Sequence, residues 1–178
     1  MVAALPMVRT WFESVRAQHA GAAQRVAAIG FPRLPRYFPP AVLDAARVAT
    51  VSKVPFPPIT DLGIAFAELA QMGLSAVTFD DTMFVHQALR TETIHFHELV
   101  HIVQWRALGV DRFMLTYGLG VVERGYAHSP LEAIAYDLQS QFDREIDIPD
   151  LEAVVSAHAR AAWRHTASVL ADHDVTVT

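Results

Sequence analysis

The sequence predicts an α+β fold, with a modest sheet in the first half of the chain and helices in the second. Three observations lead there. Short β-branched and aromatic segments lie between residues 46 and 90, and from Thr91 onward apolar helical runs are separated by glycine and proline. The composition, 52% hydrophobic and 19% charged over 178 residues, supplies enough apolar side chains for a sizeable buried core. The length fits one domain over residues 1–178, divided into an N-terminal helix and proline-rich arm (1–45), a strand region (46–90) and a helical part (91–170).

Met7 to Ile29 reads as an amphipathic helix, because Val8, Trp11, Phe12, Val15, Val26 and Ile29 can share a broad apolar face. Gly30 ends it. Residues 31–40 hold four prolines in ten positions, which makes them a connection, and their aromatics suit an arm docked on the core. Ala46 to Val54 alternates like a strand, and Ile64 to Met72 resembles a short helix. Leu74 to Phe79 and Thr82 to His86 flank an Asp-Asp-Thr turn and read as a hairpin. Thr91 to Leu108 is a helix stopped by Gly109. Asp111 to Tyr117 forms the next, with Gly118, Gly120 and Gly125 marking a looser connection. Ser129 as N-cap and Pro130 at the first position open a helix to about Arg144. Pro149 begins the last, capped near Asp147 or Ile148 and running to roughly Leu170.

The net charge of −5, with no run of lysine or arginine, argues against a nucleic-acid partner. The absence of cysteine excludes disulfides, thiolate metal sites and a cysteine nucleophile, so any metal ligands are His, Asp or Glu. No stretch is long and apolar enough to cross a bilayer, and the start lacks a cationic leader, so the expected setting is cytoplasmic with no membrane partner. Composition leaves the oligomeric state open.

The chemistry lies in I-H-F-H-E-L-V-H-I-V-Q-W, residues 94–105, where His97, Glu98 and His101 form H-E-x-x-H. Positions i and i+4 stand one above the other on a helix, so both imidazoles reach one metal ion. Glu98 adjoins the first ligand, where its carboxylate can accept a proton from a water at the metal. Leu99, Val100, Ile102 and Val103 suit a buried helix, in which an unpartnered carboxylate would be costly and a cation is the natural partner. Zn²⁺ is the expected ion.

The stretch F-H-E-L-V-H-I-V-Q-W, followed about thirty residues later by S-P-L-E-A-I-A-Y-D, resembles the zincin metallopeptidases, and within them the gluzincins. The resemblance covers roughly residues 82–142. It implies a zincin-like fold, hydrolysis of a peptide or protein substrate, a glutamate third ligand downstream, and a short strand beside the active-site helix that pairs with extended substrate; Thr82 to His86 is the candidate strand. The metzincin pattern is not met, since it needs glycine and histidine where Gln104 and Ala107 stand. Glu132 is the favoured third ligand, with Glu123, Asp137 and His128 as alternatives. Gluzincins often carry an aspartate four residues after that ligand; here Tyr136 stands there and Asp137 is one step on.

Tyr126 and His128 precede the Glu132 helix, where either could donate a hydrogen bond to a developing oxyanion. His95 is expected to pack away from the metal face, and His86 to lie no nearer than the cleft rim. His158, His165 and His173 are expected to be solvated, and Trp11, Trp105 and Trp163 to belong to the core. The rival to a metallopeptidase is a zincin-like binding module that hydrolyses nothing, and behind it a helical domain with no metal.

Overall fold

Why the first helix stops early is visible in what its side chains must cover. In the computed structural model, which describes residues 2–172, α1 runs Leu5–His19 and buries Phe12 and Val15. The Ala-Gly-Ala-Ala run at 20–23 offers it no large apolar side chain, and the chain turns away. Gln24–Arg25 then forms a short strand, β1, and Val26–Ile29 a single 3₁₀ turn closed by Gly30 at φ 79°. Val26 packs in a different cluster from Phe12 and Val15, so one continuous helix to Ile29 could not have served both.

The proline-rich arm docks as expected. Leu34, Tyr37 and Phe38 are buried, and Glu92 accepts from the Arg33 and Leu34 amides and the Arg33 guanidinium at 2.7–3.1 Å. The arm ends in a helix the sequence reading did not separate, α2 (Pro40–Ala45), with Pro40 in its first turn.

The sheet has the order β1-β2-β4-β3, where β2 is Arg47–Val51, β3 is Ala76–Phe79 and β4 is Thr82–His86. β2 runs parallel to β4, and the crossover between them carries α3 (Ile64–Gln71) and β3. β3 and β4 form the expected hairpin, and Asp80 takes φ 58°, the left-handed conformation that tight hairpin turns use. Arg16 of α1 clamps this turn by pairing with Asp80 and Asp81 at 3.1 and 2.6 Å. Successive strand side chains point to opposite faces. Met83 and Val85 therefore join one core with the arm and α2, while Phe84 joins the other with α1. Thr82 to His86 is a central strand, bonded on both edges to β2 and β3, so it cannot pair with substrate; the edge strands are β1 and β3, and β3 is the one packed on α4.

The helical half is built around α4 (Glu92–Leu108), which contacts β3 on one side and the three later helices on the others. Thr91 caps it, its hydroxyl accepting from the Ile94 amide at 3.3 Å. α5 runs Val110–Arg124, straight through Gly118 and Gly120; the break comes only at Gly125, with φ 75°. A Cβ on Gly120 would stand 2.8 Å from the Pro130 ring, so this glycine serves close packing and is not a helix stop. α6 spans Pro130–Asp143, and Ser129 has N-cap backbone angles, yet its buried hydroxyl makes no capping bond. α7 (Leu151–Asp172) starts two residues after Pro149, its first bond running from the Val154 amide to the Asp150 carbonyl. Among the described residues no helix is long and apolar enough to cross a membrane.

Candidate metal centre

α4 is buried around its whole circumference from His95 to Trp105, so its polar residues there are carried into the interior with it. His97, Glu98 and His101 are 6%, 5% and 6% exposed, and Glu132, delivered by the first turn of α6, is 2% exposed. Such burial of two imidazoles and two carboxylates is tolerable only if each is partnered.

The partners are specific. His97 Nε2 lies 3.2 Å from Glu132 Oε2 and 3.1 Å from His101 Nε2, and His101 Nε2 lies 3.5 Å from Glu132 Oε1. Three potential ligand atoms thus converge on one point from two helices, and among the described residues this is the one such group. A tetrahedral ion with bonds of about 2.0–2.2 Å holds its ligand atoms about 3.3–3.6 Å apart, close to these separations, although the two rings face different oxygens of Glu132. The cluster could hold a metal ion.

Two of the three candidate ligands, His101 and Glu132, are hydrogen-bonded from behind. His101 Nδ1 stands 2.8 Å from Gln104 Oε1, while Gln104 Nε2 donates to the Leu131 carbonyl at 2.9 Å. A carbonyl can only accept, so the amide's orientation is fixed with its oxygen toward His101. In the neutral ring the proton must then sit on Nδ1, which leaves the Nε2 lone pair facing the cluster. The Tyr117 hydroxyl donates to Glu132 Oε1 at 2.8 Å. Tyr136 packs its ring on His97, 4.7 Å between centroids, although His97 Nδ1 itself has no partner. Glu98 Oε2 accepts from the Thr78 hydroxyl of β3 at 2.6 Å, and the Trp105 indole donates to the Thr78 carbonyl, so β3 is pinned against α4.

The electrostatics follow from these contacts. Burial disfavours a charged His101 ring, but the Glu132 carboxylate and its hydrogen bond outweigh this and push the pKa up to about 9. Burial likewise works against an ionised Glu132, and the two histidines overcome it, holding the carboxyl well below the usual range. Burial, reinforced by the Glu132 charge, keeps the Tyr117 and Tyr126 phenols protonated far beyond their ordinary range.

A cleft of about 990 Å³, counted out to its mouth, opens on Glu98, His101, Glu132, Tyr117 and Tyr126. Of the residues singled out from sequence, Tyr126 is on this wall, its hydroxyl 3.3 Å from that of Tyr136. His128 is exposed and does not line the cleft. The alternative ligands point elsewhere: Glu123 pairs with His165 at 3.1 Å, and Asp137 accepts from Gln141 at 3.0 Å. His95 packs as expected, its ring against Phe31 and its Nδ1 at the Thr91 carbonyl. His86 is taken up by the Ala88 amide. His158 is half-buried, not solvated, and His173 lies outside the described residues. Trp105 is core, with Trp11 and Trp163 packed on its edge.

Sequence reasoning passed over Thr78, Gln104, Tyr117 and Tyr136 as parts of the site. Gln104 had a readable signal, being three residues after His101 and so on the same helix face. Tyr136 likewise follows Glu132 by one turn. Thr78 and Tyr117 had none, because their positions depend on how β3 and α5 pack on α4.

Comparison of the chain with protein-family models, with curated proteins and with solved structures finds no match.

Proposed function

We propose that this chain is a zinc-dependent hydrolase that cleaves peptide bonds, with Zn²⁺ held by His97, His101 and Glu132 and with Glu98 as general base. The observation that carries the reading is the convergence of those three buried ligand atoms beside Glu98, with Glu98, His101 and Glu132 on the wall of an open cleft. Two imidazoles and one carboxylate with a fourth position free is a donor set of catalytic zinc sites. Zinc there supplies Lewis acidity toward a carbonyl oxygen and makes a water acidic enough to lose its proton near neutral pH. Glu98 receives that proton and passes it to the leaving amine, while Thr78 fixes its second oxygen. Tyr126, on the cleft wall and kept protonated, is the donor this reading assigns to the developing oxyanion.

Support for a peptide substrate comes from the free edge of β3. In the hairpin register Val77 and Phe79 bond to β4, so the backbone groups of Ala76 and Thr78 face outward. The Thr78 carbonyl is taken by Trp105, leaving the Thr78 amide and both groups of Ala76 for an extended chain.

The test is Glu98→Gln. An amide of the same shape cannot accept the proton, so cleavage should fall by a hundredfold or more with zinc content unchanged at about one ion per chain. Equal rates at equal zinc occupancy would assign the base elsewhere; zinc bound without cleavage by the unaltered protein would favour the binding-module reading.

A further inference from the structure

Glu132 offers two oxygens to the cluster, and its neighbours treat them differently. Oε1 accepts from the Tyr117 hydroxyl at 2.8 Å, with His101 Nε2 farther off at 3.5 Å. Oε2 faces His97 Nε2 at 3.2 Å and has no other hydrogen-bonding neighbour among the described residues. The phenol comes from α5, a helix that carries neither the histidines nor Glu132. Its ring holds it in place. Tyr117 stacks on Phe113 with 5.9 Å between centroids and 17° between planes, and Phe113 stacks on Trp105 at 3.9 Å and 14°. Trp105 belongs to α4, the helix of the histidines, and its indole is itself fixed on Thr78. The hydroxyl is therefore set relative to the ligand atoms by packing, independently of any ion.

The two oxygens part company once both imidazoles turn their Nε2 lone pairs toward a cation. Oε1 keeps its phenol donor. Oε2 then faces no protein donor, and a buried carboxylate oxygen without a partner is costly, so the cation is its partner. A carboxylate that chelated with both oxygens would take up a further coordination position, the one that catalytic zinc sites leave to water or substrate. Tyr117, His101 and Glu132 all line the cleft, so a position kept free there is one that a ligand in the cleft can reach.

Resting on the metal-dependent reading above, we propose that Tyr117 is a positioning residue: it engages Oε1 of Glu132, limits that carboxylate to one metal-binding oxygen, and so keeps a coordination position open toward the cleft. Without the hydroxyl, Oε1 loses its close donor and is free to turn onto the ion beside Oε2, which closes the position.

Cobalt(II) loaded in place of zinc reports the coordination number and needs no turnover, because four-coordinate cobalt absorbs visible light more strongly than five-coordinate cobalt. The parent protein should give the strong spectrum. Tyr117→Phe keeps the ring stack and loses only the hydroxyl, so it should still bind about one ion per chain, with a weaker spectrum. Azide, which needs an open position on the ion, should bind the cobalt form of this variant at least about tenfold less tightly than the parent. Tyr117→Met lacks ring and hydroxyl alike and should show the same two changes. Tyr136→Phe loses a hydroxyl that reaches Tyr126 and not Glu132, and it should match the parent in both readouts. Identical spectra and azide binding in the parent and both Tyr117 variants would overturn the proposal and leave the hydrolase reading intact. The expected differences, together with no peptide cleavage by the zinc-loaded parent, would support the role of Tyr117 and overturn the hydrolase reading. A parent protein that takes up neither cobalt nor zinc would overturn both.

Discussion

Gln104 decides which nitrogen of His101 carries the proton, and it does so because the Leu131 carbonyl leaves its amide only one orientation. Gln104→Met removes both bonds and strands a buried ring nitrogen, so zinc affinity should drop roughly ten- to a hundredfold, the usual cost of losing a group behind a ligand. Gln104→Glu keeps the acceptor for His101 and should recover most of the loss; nitrogen NMR of the imidazole would report the tautomer directly. The same ring sets a pH dependence. With its folded pKa raised from 6.5 to about 9, charged His101 stabilises the metal-free protein fully below about pH 6.5, and this fades as the pH rises through 9. Glu132 is the converse, its contribution present above its ordinary value of 4.5 and lost as the pH falls well below it. Metal uptake must expel the His101 proton, so zinc affinity should climb with pH up to about 9, and about one proton should be released per ion at pH 7. Calorimetry in buffers of different ionisation enthalpy measures this; zero release would mean His101 is neutral in the free protein. His97, Glu98 and His101 were legible from spacing because a helix turns i and i+4 into neighbours whatever surrounds it. Thr78 and Tyr117 were not, because no local rule states which strand register or helix face will meet Glu98 or Glu132.

At the scale of elements, the junction of α5 and α6 controls where Glu132 stands. Gly120 lets the two helices approach until a Cβ would meet Pro130 Cδ at 2.8 Å and Ser129 Cβ at 3.1 Å. Neither atom can swing aside, since one belongs to a closed ring and the other is bonded to the backbone. Gly120→Ala gains about 1 kcal/mol of helix propensity, but overpacking typically costs about 1–3 kcal/mol. The expected net effect is destabilisation of about 1 kcal/mol in chemical denaturation. A weaker zinc site should accompany it, because Glu132 lies two residues beyond the displaced proline. Stability unchanged together with full zinc affinity would show that the junction yields freely. The sequence reading mistook Gly118 and Gly120 for a chain break because a glycine chosen for close packing and one chosen for a left-handed backbone look alike until the neighbour is known. Gly109, which does take positive φ, stood at the end of an apolar run and was legible, whereas Gly125, also at positive φ, was grouped with the two packing glycines although it alone of the three ends the helix. The end of α1 at His19 was missed for a related reason: Val26 and Ile29 match the helical period, yet they belong to the opposite face of the sheet.

For the whole molecule, the cluster that could hold a metal joins α4 to α6 through residues as far as 35 positions apart, and α4 in turn carries the contacts with β3, α5, α6 and α7. An ion at this point is bound by the folded chain alone, since the unfolded chain does not bring Glu132 to the histidines. Free zinc at about a hundredfold over its dissociation constant should therefore add about 2.7 kcal/mol of stability. A chain of this length gains about 2–4 °C in Tm per kcal/mol, which gives a rise of about 5–10 °C between chelator-treated and zinc-loaded protein. Because the arm, the sheet and α7 all pack on the element that carries the histidines, the rise should appear as displacement of one cooperative transition. His101→Ala and Glu132→Ala should each abolish it, whereas Glu123→Ala and Asp137→Ala should keep it. Differential scanning calorimetry of the five proteins with and without zinc separates the possibilities. A shift surviving in His101→Ala would place the ion elsewhere, and a second transition indifferent to zinc would show that part of the chain folds independently of the metal-bearing core.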